Sequence, residues 1–265
     1  MNIHATPQPA LALATITYAG NTGRWRTEAM RSHATARLIH ITKGQGRITV
    51  AGLTNGYGPN NLIYIPPHTI YGMEVGTTVF GQTLTIPDAG EWPKTPFHLR
   101  LLDVDPQKEL VSYMEAIERE LGPDRDPRAA HCYFGLLTIF VERQLKARDP
   151  AQVDRRRSSA AGKLVARYTD MIAHDYQADL SVAQFAEALG VTPTHLTRCC
   201  QKTCGRSALA LLNERIHFEA CTLLRETRQP IQDIAKQLGF HSAAYFTRSF
   251  QEKAGQTPSR FRSRA

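Results

Sequence analysis

Ser181-Val182-Ala183-Gln184-Phe185-Ala186-Glu187-Ala188-Leu189-Gly190-Val191-Thr192-Pro193-Thr194-His195-Leu196-Thr197-Arg198 returns some fifty residues later as Ile231-Gln232-Asp233-Ile234-Ala235-Lys236-Gln237-Leu238-Gly239-Phe240-His241-Ser242-Ala243-Ala244-Tyr245-Phe246-Thr247-Arg248. Ala186 matches Ala235, Gly190 matches Gly239, Thr197-Arg198 matches Thr247-Arg248, and beyond them Gly205 matches Gly255. Each copy reads as a short helix, a tight turn and a second helix. The alanine lets the second helix approach closely, and the glycine takes the turn without a Cβ penalty. Thr192 or Ser242 is placed to cap the second helix. Leu196 and Phe246 anchor it in a core. Thr194, Thr197 and Arg198, or Ala243, Ala244, Thr247 and Arg248, are left on the outer face, where a recognition helix meets base edges and phosphates.

Between the copies, Ser207 to Arg225 predicts one long helix with the apolar stripe Leu209, Leu212, Ile216, Ala220, Leu223 and Leu224. A rigid spacer of that kind would hold both units to one side of a duplex, whose major-groove entries recur about every 34 Å. Charge supports the same partner. Residues 1–150 hold 15 Lys+Arg against 14 Asp+Glu, whereas residues 151–265 hold 17 against 10. Nearly all of the net +8 therefore sits in the C-terminal part, which favours a polyanion partner, although many basic domains are merely soluble.

The residues match a family. Gly239-Phe240, Tyr245-Phe246-Thr247-Arg248-Ser249-Phe250 and Gly255-Gln256-Thr257-Pro258-Ser259-Arg260-Phe261-Arg262 resemble the signature of the AraC/XylS transcription regulators, and Asn213-Glu214-Arg215-Ile216 with Ala220 and Leu223-Leu224 resembles that family's linker helix. The resemblance covers about residues 163–264 and implies sequence-specific binding to double-stranded DNA. The sites it implies are Thr194, His195, Thr197, Arg198 and Lys202 in the first unit and Ala243, Ala244, Thr247 and Arg248 in the second. Two departures stand out: Cys199-Cys200 replaces a pair of bulky apolar residues, and Ala243-Ala244 offers no hydrogen-bonding group.

Upstream, Arg37 to Ile86 reads as short strands broken by turns. Arg37–Ile41, Arg47–Val50, Leu62–Ile65 and Thr77–Ile86 are the strands. Lys43-Gly44-Gln45-Gly46 and Asn55-Gly56 are the expected turns, and Pro66-Pro67 ends a strand. The spacing suggests a small barrel or sandwich. Past Trp92-Pro93 the pattern becomes helical, with Leu110, Met114, Ile117 and Leu121 as one stripe ending at Gly122-Pro123, and a second helix from Arg128 to Arg148 with Tyr133, Leu136, Leu137, Phe140 and Val141 on one face. These helices would cover the barrel or pair across a dimer. Asp149–Gly162, with Arg155-Arg156-Arg157, reads as a solvated linker, or as a phosphate contact beside the DNA domain.

Gly44-Gln45-Gly46 and Leu62–Pro67 are similar to the cupin-like sensor domain of many family members. The resemblance implies a multidomain α+β chain: a cupin-like β-barrel with flanking helices over 1–148, a linker over 149–162, and an all-α domain with two helix-turn-helix units over 163–265. It also implies a small-molecule effector in the barrel, with His33, Arg37, Tyr64, His68 and Tyr71 as candidates, a homodimer, and RNA polymerase as a partner if the protein is an activator.

Rival readings are weaker. A metal cupin needs an HxH pair, and His33, His40 and His68 form none; Glu74 follows no such pair. No metal, cofactor or enzymatic activity is therefore expected. The five cysteines, Cys132, Cys199, Cys200, Cys204 and Cys221, are odd in number and form no CxxC, which fits free thiols in a reducing compartment. Cys200 and Cys204, four apart on a helix, leave a thiol sensor or metal site conceivable. No long apolar run and no secretory signal are seen, so a cytoplasmic location away from the membrane is expected.

Overall fold

The structure, a computed structural model, describes residues 10–18, 20, 24–90, 92–148, 155–177 and 179–263. Its N-terminal part contains β1 (Ala12–Ile16), a 3-10 turn (Arg24–Arg26), β2 (Ala36–Lys43), β3 (Gly46–Val50), β4 (Leu53–Tyr57), β5 (Asn61–Ile65), β6 (Tyr71–Met73), β7 (Phe80–Ile86) and β8 (Phe97–Arg100), then helices α1 (Val104–Glu120) and α2 (Pro127–Ala147). The strands form two antiparallel sheets, β1-β7-β2-β5-β8 and β4-β3-β6.

Period-2 alternation explains the layering. Leu38, Leu62, Tyr64 and Leu84 face a core shared with Leu110, Met114, Ile117, Leu137, Phe140 and Val141 of α1 and α2. Ile39, Ile41, Ile63 and Ile65 point the other way and pack on Ile48, Val50, Tyr71 and Met73 of the smaller sheet. The larger sheet is thus covered on both faces, which is why its central strands read as unbroken apolar runs.

This architecture corrects the expected closed barrel: among the described residues no ladder joins the two sheets, and the β region is a sandwich. Asn55-Gly56 is also no turn. Both residues lie inside β4, and the hairpin turns at Ala51-Gly52, whose φ values of 50° and 72° supply the two left-handed positions that a tight hairpin needs. β1, β4, β6 and β8 were not foreseen; each is five residues or shorter. On α2, Leu137, Phe140 and Val141 are buried as expected, but Leu136 is 45% exposed.

The C-terminal part is all helix: α3 (Arg155–Ser158), α4 (Ala160–His174), α5 (Val182–Ala188), α6 (Pro193–Cys204), α7 (Ala208–Glu226), α8 (Ile231–Gln237), α9 (Ala243–Ala254) and α10 (Pro258–Ser263). Of the expected linker, residues 149–154 lie outside the described ones. Arg156 does not simply point into solvent: it donates to Asn55 Oδ1 and, at 3.3 Å, to the Thr54 carbonyl.

The two parts meet along the outside of the smaller sheet. Met30 and Ile70 are buried in the same apolar cluster as Val165, Tyr168 and Ile172 of α4. Arg206 donates to Thr49 Oγ1 at 3.3 Å, and the Trp25 ring lies 5.8 Å from both Phe218 and Phe261. No helix among the described residues is long and apolar enough to cross a membrane.

Candidate nucleic-acid interface

The two repeat units are built alike. In the first, Ser181 caps α5 in a capping box with Gln184, and Gly190 turns the chain at φ 71°. Thr192 caps α6, its hydroxyl accepting from the His195 amide at 3.2 Å, and Gly205 ends α6 at φ 69°. In the second, Gly239 turns at φ 76°, Ser242 caps α9 by accepting from the Tyr245 amide at 3.2 Å, and Gly255 ends it at φ 68°. The anchors Leu196 and Phe246 are 0% and 1% exposed.

Helix α7 joins them by dividing its length. Its first half, Ala208, Leu211, Leu212 and Ile216, packs with Leu196, Phe185 and Tyr168. Its second half, Ala220, Cys221, Leu223 and Leu224, packs with Ile234, Ala235, Phe246, Phe250 and Phe261. The Tyr168 hydroxyl donates to the Ala208 carbonyl at 2.8 Å and ties α4 to its start. With 19 residues α7 is about 28 Å long, close to one duplex repeat.

Thr194, Arg198 and Lys202 are exposed on α6, with Thr197 and His195 half-buried. Arg198 Nη2 lies 3.1 Å from His195 Nδ1, whose other ring nitrogen lies 3.6 Å from Cys199 Sγ. On α9, Ala244 and Arg248 are exposed, while Ala243 and Thr247 are half-buried. Sequence reasoning passed over Tyr245, which is 54% exposed beside them. Its place next to the anchor Phe246 was the available signal. Cys199 and Cys200 fill the first unit's core at 7% and 0% exposure. Burial pushes the Cys200 thiol up to about 12 and also raises Cys204, against the reactive thiolate a sensor needs.

The five effector candidates do not converge on one pocket. Tyr64 is a core residue, stacked on Phe97 at 5.1 Å and near Trp92 at 5.0 Å. Arg37 donates to Thr85 Oγ1 on the neighbouring strand. His68 faces His174 of α4 at 5.5 Å. His33 and Tyr71 lie 5.8 Å apart, and His33 is 6.3 Å from Phe218 of α7. Among the described residues no three His, Cys, Asp or Glu side chains gather to hold a metal ion.

Comparison with known proteins agrees with the repeat. A family model described as a helix-turn-helix domain matches residues 185–264. The arabinose operon regulatory protein of Salmonella typhimurium is 29% identical over 135 residues, 49% of this chain and 47% of that protein. The C-terminal domain of AraT, a response regulator from Geobacillus stearothermophilus, is 30% identical over 40% of this chain and 89% of that one, with a TM-score of 0.38. ToxT from Vibrio cholerae is 12% identical, with 96% of this chain and 98% of that one covered and a TM-score of 0.43. The matches span 12%, 47% and 31% of the length of three curated relatives, about half or less of each. Through residues 185–264 the chain carries a helix-turn-helix domain of the AraC/XylS type, the type it shares with the arabinose operon regulatory proteins.

Proposed function

We propose that the chain reads DNA with both units and adjusts that reading to a small molecule sensed through its N-terminal domain, residues 1–148, with 149–162 as linker and 163–265 as the DNA-binding domain. The observation that carries the reading is the pair of equivalently capped helices, α6 and α9, fixed to opposite halves of α7. Thr194, His195, Thr197 and Arg198 face base edges from α6, and Lys202 contacts phosphate. Ala243, Ala244, Thr247 and Arg248 do the same from α9, Arg248 being the polar reader and the alanines offering methyl contacts. His33 and Tyr71 stand where the sheet meets α7, so they are the two of the five sequence candidates best placed to pass a signal on. Leu136 and Ile139, 45% and 55% exposed on α2, support pairing of two copies through that helix. RNA polymerase is a partner if the regulator activates.

The test is binding of the full chain to duplexes selected from a random pool. Selection should enrich a defined sequence, and binding to it should weaken steeply with salt as several phosphate contacts release counterions. Equal affinity for selected and random duplexes would refute sequence-specific reading.

A further inference from the structure

A cleft of about 340 Å³ lies between the two parts of the chain. Its walls come from every unit that would have to move for a signal to reach DNA. Trp25, Glu28 and Ala29 belong to the N-terminal domain; Arg206 follows α6 at the end of the first unit; Glu214 and His217 lie on α7; Lys253, Gln256 and Phe261 belong to the second unit. A molecule held there touches the sensor domain, the linker helix and both DNA-reading units at once.

The lining also states what kind of molecule fits. Trp25 and Phe261, 5.8 Å apart, offer aromatic surface. Lys253 is exposed and donates to the neutral carbonyl of Asn213 at 2.8 Å, leaving other protons of its ammonium for further acceptors, with the carboxylates of Glu214 and Glu252 acting on it. Arg206 adds a second cation, paired with Glu214 Oε1 at 3.3 Å. The acceptors are left short of donors: Glu214 Oε2 and Gln256 Oε1 are both buried with no hydrogen-bond partner. Burial raises the pKa of Glu214 despite the cations beside it. His217 is held neutral, lowered by burial to about 4. Glu28 already has a partner of its own. The groups with capacity left are thus the Lys253 ammonium and two buried oxygens wanting a donor, Arg206 being already paired with Glu214.

We propose that this cleft is a ligand site for a small zwitterion with an apolar side group, an α-amino acid in kind. The carboxylate meets Lys253 and Arg206, the ammonium meets Glu214 and Gln256, and the side group lies against Trp25 and Phe261. This rests on reading the chain as an effector-responsive regulator and moves the ligand from the β region to the domain junction.

The experiment is thermal unfolding of the full chain, without DNA, in L-phenylalanine, 3-phenylpropanoate and 2-phenylethylamine at equal millimolar concentrations. The three share a body and differ by one charge each. The amino acid should raise Tm by about 3 °C, as occupancy well above Kd does, and each single-charge analogue by less than half as much. The rise should vanish in Ala254→Leu, which puts a larger apolar side chain on the cleft wall that Ala254 lines and leaves every charge in place, and in Lys253→Met, and should persist in Lys253→Arg. Equal shifts with all three compounds, no shift with any, or an unchanged shift in both Ala254→Leu and Lys253→Met would overturn the proposal. Because DNA is absent, such a failure is distinct from a failure to read DNA.

Discussion

The hydroxyls of Thr192 and Ser242 occupy the same place in the two units, each accepting from the backbone amide three residues on at 3.2 Å. Each satisfies a donor at the start of its helix, α6 or α9, that would otherwise lack a partner. Thr192→Ala and Ser242→Ala should each destabilise by about 1 kcal/mol. The helices they cap pack through Leu196 and Phe246 into separate apolar clusters, so the losses should add in the double variant within about 0.5 kcal/mol. Urea unfolding of the three variants checks this, and a loss at one site alone would mean that the units are not equivalent.

Arg198 and Lys202 should behave differently although both are exposed on α6. The Arg198 side chain is held toward His195, 1.4 helical turns into α6, where a guanidinium can pair bidentately with guanine. Arg198→Ala should relax preference at one or two base positions by ~1–3 kcal/mol. Lys202→Ala should weaken all sequences alike and lower the salt slope by ~1. Affinities for cognate and random duplexes across a salt series separate the two, and an equal loss on both duplexes for Arg198→Ala would remove its base-reading role.

Acid should destabilise the fold through its buried histidines. Burial lowers both His40 and His217 to about 4, so the unfolded chain takes up protons near 6.5 that the folded chain does not. Their stabilising effect is complete above pH 6.5 and falls as pH drops toward 4. At pH 5 each costs about 2 kcal/mol relative to pH 7. His40 also buries an unpartnered Nδ1, so His40→Phe should shrink the loss between pH 7 and pH 5 by about that amount. Chemical unfolding at the two pH values measures it; an unchanged pH dependence in the variant would show that His40 titrates normally.

The C-terminal units were legible because their determinants are local. Ser181, Thr192, Gly190 and Gly205 each fix a cap or a left-handed turn within four residues, and so do Ser242, Gly239 and Gly255. The β region was legible only in part. Asn55-Gly56 carries a strong hairpin propensity, yet the pairing of β3 with β4 is set by the apolar residues Ile48, Val50 and Leu53 and by the Ala51-Gly52 turn, so the tertiary pattern overrode the dipeptide. Strand closure depends on contacts far apart in sequence, and nothing local distinguishes a sandwich from a barrel. The domain junction was not legible: Trp25, Arg206 and Lys253 are separated by 181 and 47 residues and share no motif.

One chain is proposed to read two successive major-groove faces with two equivalent helices, α6 and α9. Guanine methylation interference on a selected duplex, with the full chain bound, tests it most directly. Two patches of interference should appear on one face of the duplex, about 10 base pairs apart. Arg198→Ala should erase one patch and Arg248→Ala the other. A single patch, or two patches that both survive each substitution, would contradict the account.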